Sequence, residues 1–229
     1  DVFPVTVGDL TLDAQPTRII SLSPTATEML YAIGARSQVV AVDEYSNYPA
    51  EAVALGTPLS GFEPNIEAIS SYTPDLVIIS YDPGSLTEQL NTLSIPVFVA
   101  GAAMSIENVY EQIEQLGVLT GNSQTAIEVS QTLQAGIEEA VASVQFSDPP
   151  LSYYYELDNT YYSVTSNTFI GQIFNLFGMR NIADNVESGN DYPQLSAEVI
   201  VSADPDFIFL ADTKCCAQDA TTVAARDGW

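Results

Sequence analysis

One local pattern occurs twice in this 229-residue chain, at positions 131 residues apart, and the two copies align without a gap. The first copy is residues 65–79, NIEAISSYTPDLVII, and the second is residues 196–210, SAEVIVSADPDFIFL. Each copy begins with a helix-capping residue, has an acid in its first turn, and reaches a Pro-Asp turn before a short apolar run. This order predicts a helix, a turn and a buried strand in both copies. A chance recurrence of a common α/β unit is the alternative. We expect two related α/β lobes with a ligand cleft between them.

The charge balance is strongly acidic, with 30 Asp and Glu against 5 Lys and Arg and a net charge of −25. Nucleic acid and anionic membranes are therefore poor partners, and polyanionic ligands are repelled. The chain contains no histidine, which excludes Ser-His-Asp and Cys-His catalysis as well as His-ligated zinc. No dinucleotide-binding or phosphate-loop motif is present. An apolar content of 46% is sufficient for folded cores.

The two cysteines are adjacent, at Cys215 and Cys216, just after the second predicted strand. They either close a vicinal disulfide or remain free thiols. Neighbouring Cα atoms lie about 3.8 Å apart, which is below the usual disulfide span, so the geometry disfavours the bond. Two alkylatable thiols in the unreduced protein would identify the free form.

The two ends of the chain carry different expectations. Residues 1–15 do not form a signal peptide, and no run is long and apolar enough to span a bilayer, so we expect a mature exported domain. Residues 224–229, AARDGW, directly follow a helical pattern. We expect the second lobe to be truncated there.

The first lobe shows alternating strands and helices, which predicts a parallel sheet. Ser23 and Pro24 open a helix that Gly34 ends, and Glu28 lies three residues after Thr25 in a capping-box spacing. The polar, aromatic loop 43–49 follows a predicted strand, at the end of the sheet where α/β proteins bind ligands. The predicted strands of this lobe are Arg18–Leu22, Val39–Val42, Leu76–Ser80 and Val97–Ala100, with a helix at Ser85–Leu93.

Residues 124–146 form one long helical pattern, on the order of 35 Å at about 1.5 Å per residue. It is either a stiff bridge between the lobes or an ordinary core helix. We predict an N-terminal lobe at 1–120, a linking helix at 121–147 and a C-terminal lobe at 148–229. The elements predicted for the C-terminal lobe are strands at 152–156 and 160–164, a helix at 169–177 and the second copy of the repeat.

Several segments together resemble the substrate-binding proteins of metal-chelate ABC importers, which include cobalamin-binding and ferric-siderophore-binding proteins. The segments are RIISLSPTATE at 18–28, YSNYP at 45–49, the first copy of the repeat, and YPQLSAE at 192–198. The resemblance implies a class III periplasmic-binding-protein fold, in which one long α-helix joins two parallel-sheet lobes. It also implies that Glu67 and Glu198 dock on the permease dimer, whereas by themselves these acids would only complement their helix dipoles.

The resemblance further implies a tyrosine-lined ligand site, in which rings cover an apolar ligand and hydroxyls meet amide groups. The candidate residues are Tyr45, Tyr48, Tyr81, Tyr161, Tyr162 and Tyr192. Tyrosines stand at Tyr81 and Tyr192 where the cobalamin-binding proteins have tryptophans. Ordinary half-buried packing is the alternative for each ring.

A corrinoid is the first expectation for the ligand and a neutral ferric hydroxamate is the second, because five basic residues are too few for an anionic siderophore. We expect no enzymatic activity, no resident cofactor, no metal site and a monomer. The expected location is extracytoplasmic, with membrane contact only through the permease or a lost anchor such as a lipid. A secreted carboxylate-dependent hydrolase and a surface adhesion module are the rival functions.

Overall fold

The computed structural model describes residues 1–229 and divides them into two compact units, residues 1–136 (unit 1) and 137–229 (unit 2). Each unit contains one parallel sheet with helices. The predicted fold class, two parallel-sheet α/β lobes, is confirmed.

The sheet of unit 1 has four parallel strands in the order β4-β3-β5-β6. The strands are β3 (Ile19–Leu22), β4 (Val39–Val42), β5 (Leu76–Ile79) and β6 (Val97–Val99). Every residue of β3 and β5 is buried, because helices cover both faces of the sheet. All four strands therefore end at the same edge, which is where the candidate site lies.

The helices of unit 1 are α1 (Pro24–Ala32), α2 (Ala50–Val53), α3 (Ile66–Ser71), α4 (Leu86–Thr92) and α5 (Ile106–Thr120). Sequence reasoning missed α5, which begins at the Ser105 cap and ends at Gly121 in the left-handed conformation. It also missed a two-stranded antiparallel hairpin, β1 (Val5–Val7) with β2 (Leu10–Leu12). Both elements pack on the apolar cluster that contains Leu30 and Leu116.

The first turn of α1 corrects one sequence prediction. Ser23 is the N-cap, and its hydroxyl accepts a hydrogen bond from the backbone N–H of Ala26. Thr25 lies inside the helix, so the predicted capping box between Thr25 and Glu28 is wrong. Pro24 explains the position of the cap, because proline suits the first helical residue.

Helix α6 (Ser123–Ala142) is the longest in the chain, and the boundary between the two units falls within it. The sequence pattern placed its end at residue 146, whereas residues 145–148 have no helical structure. No helix combines the length and the hydropathy that a membrane span requires.

The sheet of unit 2 has three parallel strands in the order β8-β7-β9. They are β7 (Ser152–Glu156), β8 (Arg180–Asn181) and β9 (Phe207–Leu210), with helices α7 (Phe169–Leu176), α8 (Ala197–Ala203) and α9 (Ala220–Ala224). The strand predicted at 160–164 is wrong, because only an isolated bridge between Tyr162 and Gln194 forms there. The other predicted elements of this unit form within one residue of their expected ends.

The two copies of the repeat share their hydrogen bonds as well as their sequence pattern. The side chain of Asn65 caps α3 by accepting a hydrogen bond from the backbone N–H of Ala68, three residues later. The side chain of Ser196 caps α8 in the same way, with Val199 as the donor. The residues before the Pro-Asp turns, Thr73 and Asp204, have φ values of 46° and 44°.

The aspartates of the two turns have matching roles. The carboxylate of Asp75 accepts hydrogen bonds from the backbone N–H groups of Thr17 and Arg18, just before β3. The carboxylate of Asp206 accepts one from the N–H of Ser152, the first residue of β7. Each aspartate thus ties its own strand to the start of the neighbouring strand.

Candidate functional site

The carboxyl edge of the unit 1 sheet contains a cavity of about 450 Å³. It lies where β3, β4 and β5 end. The lining residues are Leu22, Pro24, Asp43, Tyr45, Gly61, Phe62, Ser80 and Tyr81. The sequence therefore placed the loop after β4 correctly at the carboxyl edge of the sheet.

Three aromatic rings form one wall of this cavity. The ring centroids of Tyr45 and Phe62 are 5.5 Å apart in an edge-to-face arrangement, and those of Phe62 and Tyr81 are 6.2 Å apart. The exposed fractions are 54% for Tyr45, 61% for Phe62 and 42% for Tyr81. Such exposure of neighbouring large aromatic side chains marks a surface suited to binding a ligand with apolar faces.

Asp43 lies behind the aromatic wall and is only 4% exposed. Its Oδ1 atom is 2.6 Å from the hydroxyl oxygen of Ser46, which also lies 2.8 Å from the hydroxyl oxygen of Thr27. Burial raises the pKa of the Asp43 carboxyl, although the hydrogen bonds from Ser46 lower it in part. Asp43 was not among the predicted site residues.

Gly61 allows the chain to pass close to Asp43. A Cβ atom at this position would lie 2.9 Å from Asp43 Oδ2 and 2.9 Å from the carbonyl oxygen of Leu22. Both distances are shorter than real Cβ contacts, and the carbonyl belongs to a buried strand. Glycine is therefore required here for close approach.

Tyr48 lies apart from these rings, in a separate cavity of about 320 Å³ with Tyr31, Arg36 and Glu51. Arg36 and Glu51 are 3.9 Å apart and both are substantially exposed. Of the three tyrosines predicted in this unit, the structure brings Tyr45 and Tyr81 to one cavity and places Tyr48 in another.

The predicted tyrosines of unit 2 also have different surroundings. Tyr162 is 41% exposed and Tyr192 is 54% exposed, and they extend from adjacent segments joined by a bond from Ser163 N–H to the Pro193 carbonyl. Tyr161 is partly buried and stacks on Trp229 with a centroid distance of 6.1 Å. Tyr161 thus belongs to internal packing, whereas Tyr162 and Tyr192 remain available to a ligand.

A buried cluster of charged side chains lies next to the ring of Tyr161. Both terminal nitrogens of Arg226 donate to the carboxylate of Glu156 at 2.6 Å, and the Glu156 side chain is 0% exposed. The Arg226 guanidinium also lies 5.4 Å from the ring centroid of Tyr161 and 4.9 Å from that of Trp229. Arg226 is therefore committed to holding unit 2 together.

Asp212 completes this cluster and is fully buried beside the carboxylate of Glu156. Burial raises the pKa of its carboxyl, and the nearby charge of Glu156 raises it further. No group of three or more His, Cys, Asp or Glu side chains is arranged to hold a metal ion in residues 1–229.

Cys215 and Cys216 are exposed in the loop after β9 and are joined as a vicinal disulfide. The backbone N–H of Cys216 donates to the carbonyl of Asp212. Unit 2 also has an apolar cavity of about 440 Å³ between α8, β9 and α9, and none of the predicted tyrosines lines it.

Glu67 and Glu198 are exposed in the first turns of α3 and α8. They occupy equivalent positions in the two copies of the repeat. Three other α-helices have an exposed first-turn acid, Glu51 in α2, Glu88 in α4 and Glu107 in α5. A first-turn acid alone is therefore not distinctive, and the equivalence of the two positions is what singles out Glu67 and Glu198.

Comparison with known proteins agrees with this arrangement. The model of the family described as periplasmic binding protein matches residues 19–229. The chain belongs to the periplasmic binding protein family. The predicted resemblance to binding proteins of metal-chelate importers is confirmed, because the relatives include proteins named cobalamin-binding protein and vitamin B12-binding protein.

Among the relatives of this periplasmic binding protein is the cobalamin-binding protein of Halobacterium salinarum, which is 37% identical over 218 residues. The alignment covers 90% of this chain and 58% of the relative, so the chain spans less than two thirds of that protein's length.

The solved structures that share the fold include the following two. The periplasmic vitamin B12 binding protein of Vibrio cholerae is 29% identical with a TM-score of 0.67, and the match covers 85% of this chain and 76% of that chain. A possible iron-binding periplasmic solute-binding protein of Staphylococcus epidermidis is 22% identical with a TM-score of 0.83. That match covers 94% of this chain and 84% of the other chain, and at this identity it shows the fold alone.

Of the eight residues that line the cavity, the sequence indicated only Tyr45 and Tyr81 as ligand contacts, and the missed residues include Phe62 and Asp43. The signal for Phe62 was available, because an aromatic residue follows a glycine in the loop before the first copy of the repeat. Asp43 is one of 30 acidic residues, and nothing in the sequence distinguishes it from the others.

Proposed function

We propose that this protein is an extracytoplasmic solute-binding protein that captures a metal chelate of the corrinoid class and delivers it to an ABC permease. The aromatic cavity of unit 1 carries the proposal, because Tyr45, Phe62 and Tyr81 offer exposed ring faces at the ligand end of the sheet. The 37% identity to a protein named cobalamin-binding protein supports the choice of ligand. Binding and release need no covalent chemistry, so we propose no enzymatic activity and no resident cofactor.

The charges around the cavity favour a neutral ligand. None of its lining residues is Lys or Arg. Arg18 donates to the carbonyls of Tyr72 and Thr73, and Arg226 is bound to Glu156. An anionic siderophore would therefore find no cationic partner in the cavity, while a corrinoid with peripheral carboxamides would meet tyrosine hydroxyls.

Tyr162 and Tyr192 are the proposed contacts from unit 2. Both rings are exposed, and they come from adjacent backbone segments, so a ligand could touch both at once. Tyr161 is not part of this proposal, because its ring stacks on Trp229.

Isothermal titration calorimetry tests the ligand. The wild-type protein is titrated with cyanocobalamin and, separately, with a neutral ferric hydroxamate. We expect one-to-one binding of cyanocobalamin and a loss of about tenfold or more in affinity for Tyr81→Ala, since one large aromatic contact is worth about 1.5–3 kcal/mol. Binding of the hydroxamate alone would reassign the protein to siderophore uptake.

Tyr48→Ala is the matched control, because Tyr48 is also an exposed tyrosine of unit 1 but lines a different cavity. We expect its affinity to stay within about twofold of the wild type. An equal loss for Tyr48→Ala and Tyr81→Ala would show that the cavity near Tyr81 does not define the site.

We propose that Glu67 and Glu198 bind the permease when the ligand is delivered. Each presents an exposed carboxylate in the same position of the repeat, which an arginine on a permease subunit can bind with two hydrogen bonds. Uptake of labelled cyanocobalamin should fall in the double variant Glu67→Ala and Glu198→Ala while binding in solution is unchanged.

The control for docking is the double variant Glu88→Ala and Glu107→Ala, which removes two other exposed first-turn acids. It makes the same change in net charge and in helix-dipole interactions. Equal uptake by the two double variants would contradict the docking assignment.

A further inference from the structure

A chain of buried hydroxyl groups runs from the wall of the cavity into unit 1. Ser46 Oγ lies 2.6 Å from Asp43 Oδ1 and 2.8 Å from Thr27 Oγ1. Thr27 Oγ1 lies 2.9 Å from Ser21 Oγ, which lies 3.1 Å from the carbonyl oxygen of Ser23. Each of these residues is at most 4% exposed, so the contacts are shielded from solvent.

The number of protons in this chain depends on the state of Asp43. There are four contacts but only three hydroxyl groups, and each hydroxyl donates one proton. If Asp43 is ionised, Ser46 donates to it, and one of the remaining contacts brings two acceptor oxygens together without a proton. A buried acceptor pair of this kind is unfavourable.

A proton on Asp43 removes this mismatch. Asp43 then donates to Ser46, Ser46 to Thr27, Thr27 to Ser21, and Ser21 to the Ser23 carbonyl, so that every contact contains one proton. The hydrogen-bond geometry therefore favours a neutral carboxylic acid at this position.

The surroundings of Asp43 raise its pKa on balance. Burial raises this pKa most and the charge of the neighbouring Glu44 also raises it, whereas hydrogen bonds from the hydroxyl and the backbone of Ser46 lower it in part. The other titratable side chains that line the cavity are Tyr45 and Tyr81, and no cationic side chain lines it. The net charge of the chain, −25, further opposes ionisation.

We propose that Asp43 is a positioning residue held as a neutral carboxylic acid, whose proton completes the buried hydroxyl chain and leaves the ligand cavity with an uncharged wall. The hydroxyl of this Asp43 acid binds Ser46 and so fixes the loop that carries Tyr45. Its Oδ2 atom lies close to Gly61, and the side chain forms part of the cavity lining. The identity of the ligand in this cavity rests on the proposed function.

The protonation state can be measured without a ligand. Infrared spectra of the wild type and of Asp43→Asn at neutral pH are subtracted, so that other buried acids, including Asp212, cancel. We expect the difference spectrum to contain the carbonyl stretch of one protonated carboxylic acid. A difference that contains only carboxylate bands would overturn the proposal.

Asp43→Asn also tests the role in binding, because an amide provides both an N–H for Ser46 and a carbonyl acceptor, as a neutral acid does. In calorimetric titrations with cyanocobalamin, we expect the affinity of the variant to be the same at acidic and at neutral pH, because the amide has no acidic proton to lose. As pH rises through the pKa of Asp43, the wild type can lose affinity by up to about tenfold per pH unit. The variant should show no such loss.

Glu44→Gln is the matched control, since it removes one negative charge at the adjacent residue but keeps Asp43. It should retain the pH dependence of the wild type, shifted to lower pH, because the negative charge of Glu44 raises the pKa of Asp43. Binding of Asp43→Asn that is tenfold weaker than wild type would overturn the proposal, because it would mean that an ionised carboxylate is required. If cyanocobalamin binds no form of the protein, the proposed function fails, and the infrared difference alone decides the state of Asp43.

Discussion

Replacing Arg226 with methionine should destabilise unit 2 strongly. The substitution removes two hydrogen bonds of 2.6 Å to Glu156, whose side chain is 0% exposed, and leaves that carboxylate buried without its partner. Loss of one member of a buried ion pair costs about 3–5 kcal/mol. The lost contacts of the guanidinium with the rings of Tyr161 and Trp229 add about 0.5–2 kcal/mol.

The expected size of the effect follows from the size of the unit. Unit 2 comprises residues 137–229, and in a domain of under 100 residues each kcal/mol shifts the midpoint of thermal unfolding by about 4–8 °C. We therefore expect the midpoint for Arg226→Met to fall by about 12 °C or more. Domains of this kind have a total stability of about 5–15 kcal/mol, so the loss is a large fraction of it.

Tryptophan fluorescence is the assay, because Trp229 is the single tryptophan of the chain and stacks on Tyr161 within unit 2. Its fluorescence reports the unfolding of unit 2 separately from that of unit 1. Arg180→Met is the control, since it removes an exposed arginine of the same unit and should change stability by about 1 kcal/mol or less.

The double variant Glu156→Gln and Arg226→Met should recover much of the loss, because no uncompensated charge then remains at this pair. An Arg226→Met transition within about 1 kcal/mol of the wild type, or a double variant no more stable than Arg226→Met, would refute the reasoning.

Three further changes test the cavity and the buried acids. Phe62→Ala should weaken cyanocobalamin binding by about tenfold or more in calorimetric titration, since it removes the ring between Tyr45 and Tyr81; unchanged affinity would exclude this wall from the site. Gly61→Ala should lower the free energy of unfolding of unit 1 by about 1–3 kcal/mol in urea, since its Cβ would meet backbone at 2.9 Å; a neutral effect would contradict the close approach. The wild type should lose stability as pH rises above about 4, because the pKa of the Asp212 carboxyl is raised in the folded protein and its favourable contribution is lost as pH rises through that pKa. Asp212→Asn cannot ionise at this position, so its stability should increase relative to that of the wild type over the same pH range. Parallel urea denaturation curves across pH would contradict that assignment.

The elements of the repeat were predictable because short-range chemistry determines them. Asn65 and Ser196 cap their helices through bonds to residues three positions later, and a proline then limits the backbone at each turn. The two strands follow directly from apolar runs of four or five residues, but only β5 is buried as predicted, whereas β9 is partly buried and exposes Phe207. Nothing in these steps requires knowledge of the rest of the chain.

Two other segments were interpreted wrongly from the sequence. Helix α5 was missed although its buried residues Ile113, Leu116, Gly117 and Thr120 recur at helical spacing between the Ser105 cap and Gly121. The segment at 160–164 has the β-branched and aromatic residues of a strand, yet Tyr161 adopts a φ of 71° and its ring packs on Trp229. Tertiary packing overrides strand propensity there.

The candidate site shows the same division. Resemblance to the family indicated Tyr45 and Tyr81, and the structure brings both to one cavity. It could not indicate that Phe62 lies between their rings, or that Tyr48 lines a different cavity.

The sequence alone determined that this chain forms two α/β units, that its surface is acidic, and that histidine-dependent chemistry is excluded, because composition and local hydrogen bonding decide those properties. Only the tertiary structure decided which acids matter. Asp43 contacts Ser46, whose hydroxyl connects it to Thr27 in α1 and then to Ser21 in β3, and Glu156 is bound by an arginine 70 residues away. Burial and proton sharing arise from contacts between distant parts of the chain, and these form only when the sheet of each unit is assembled.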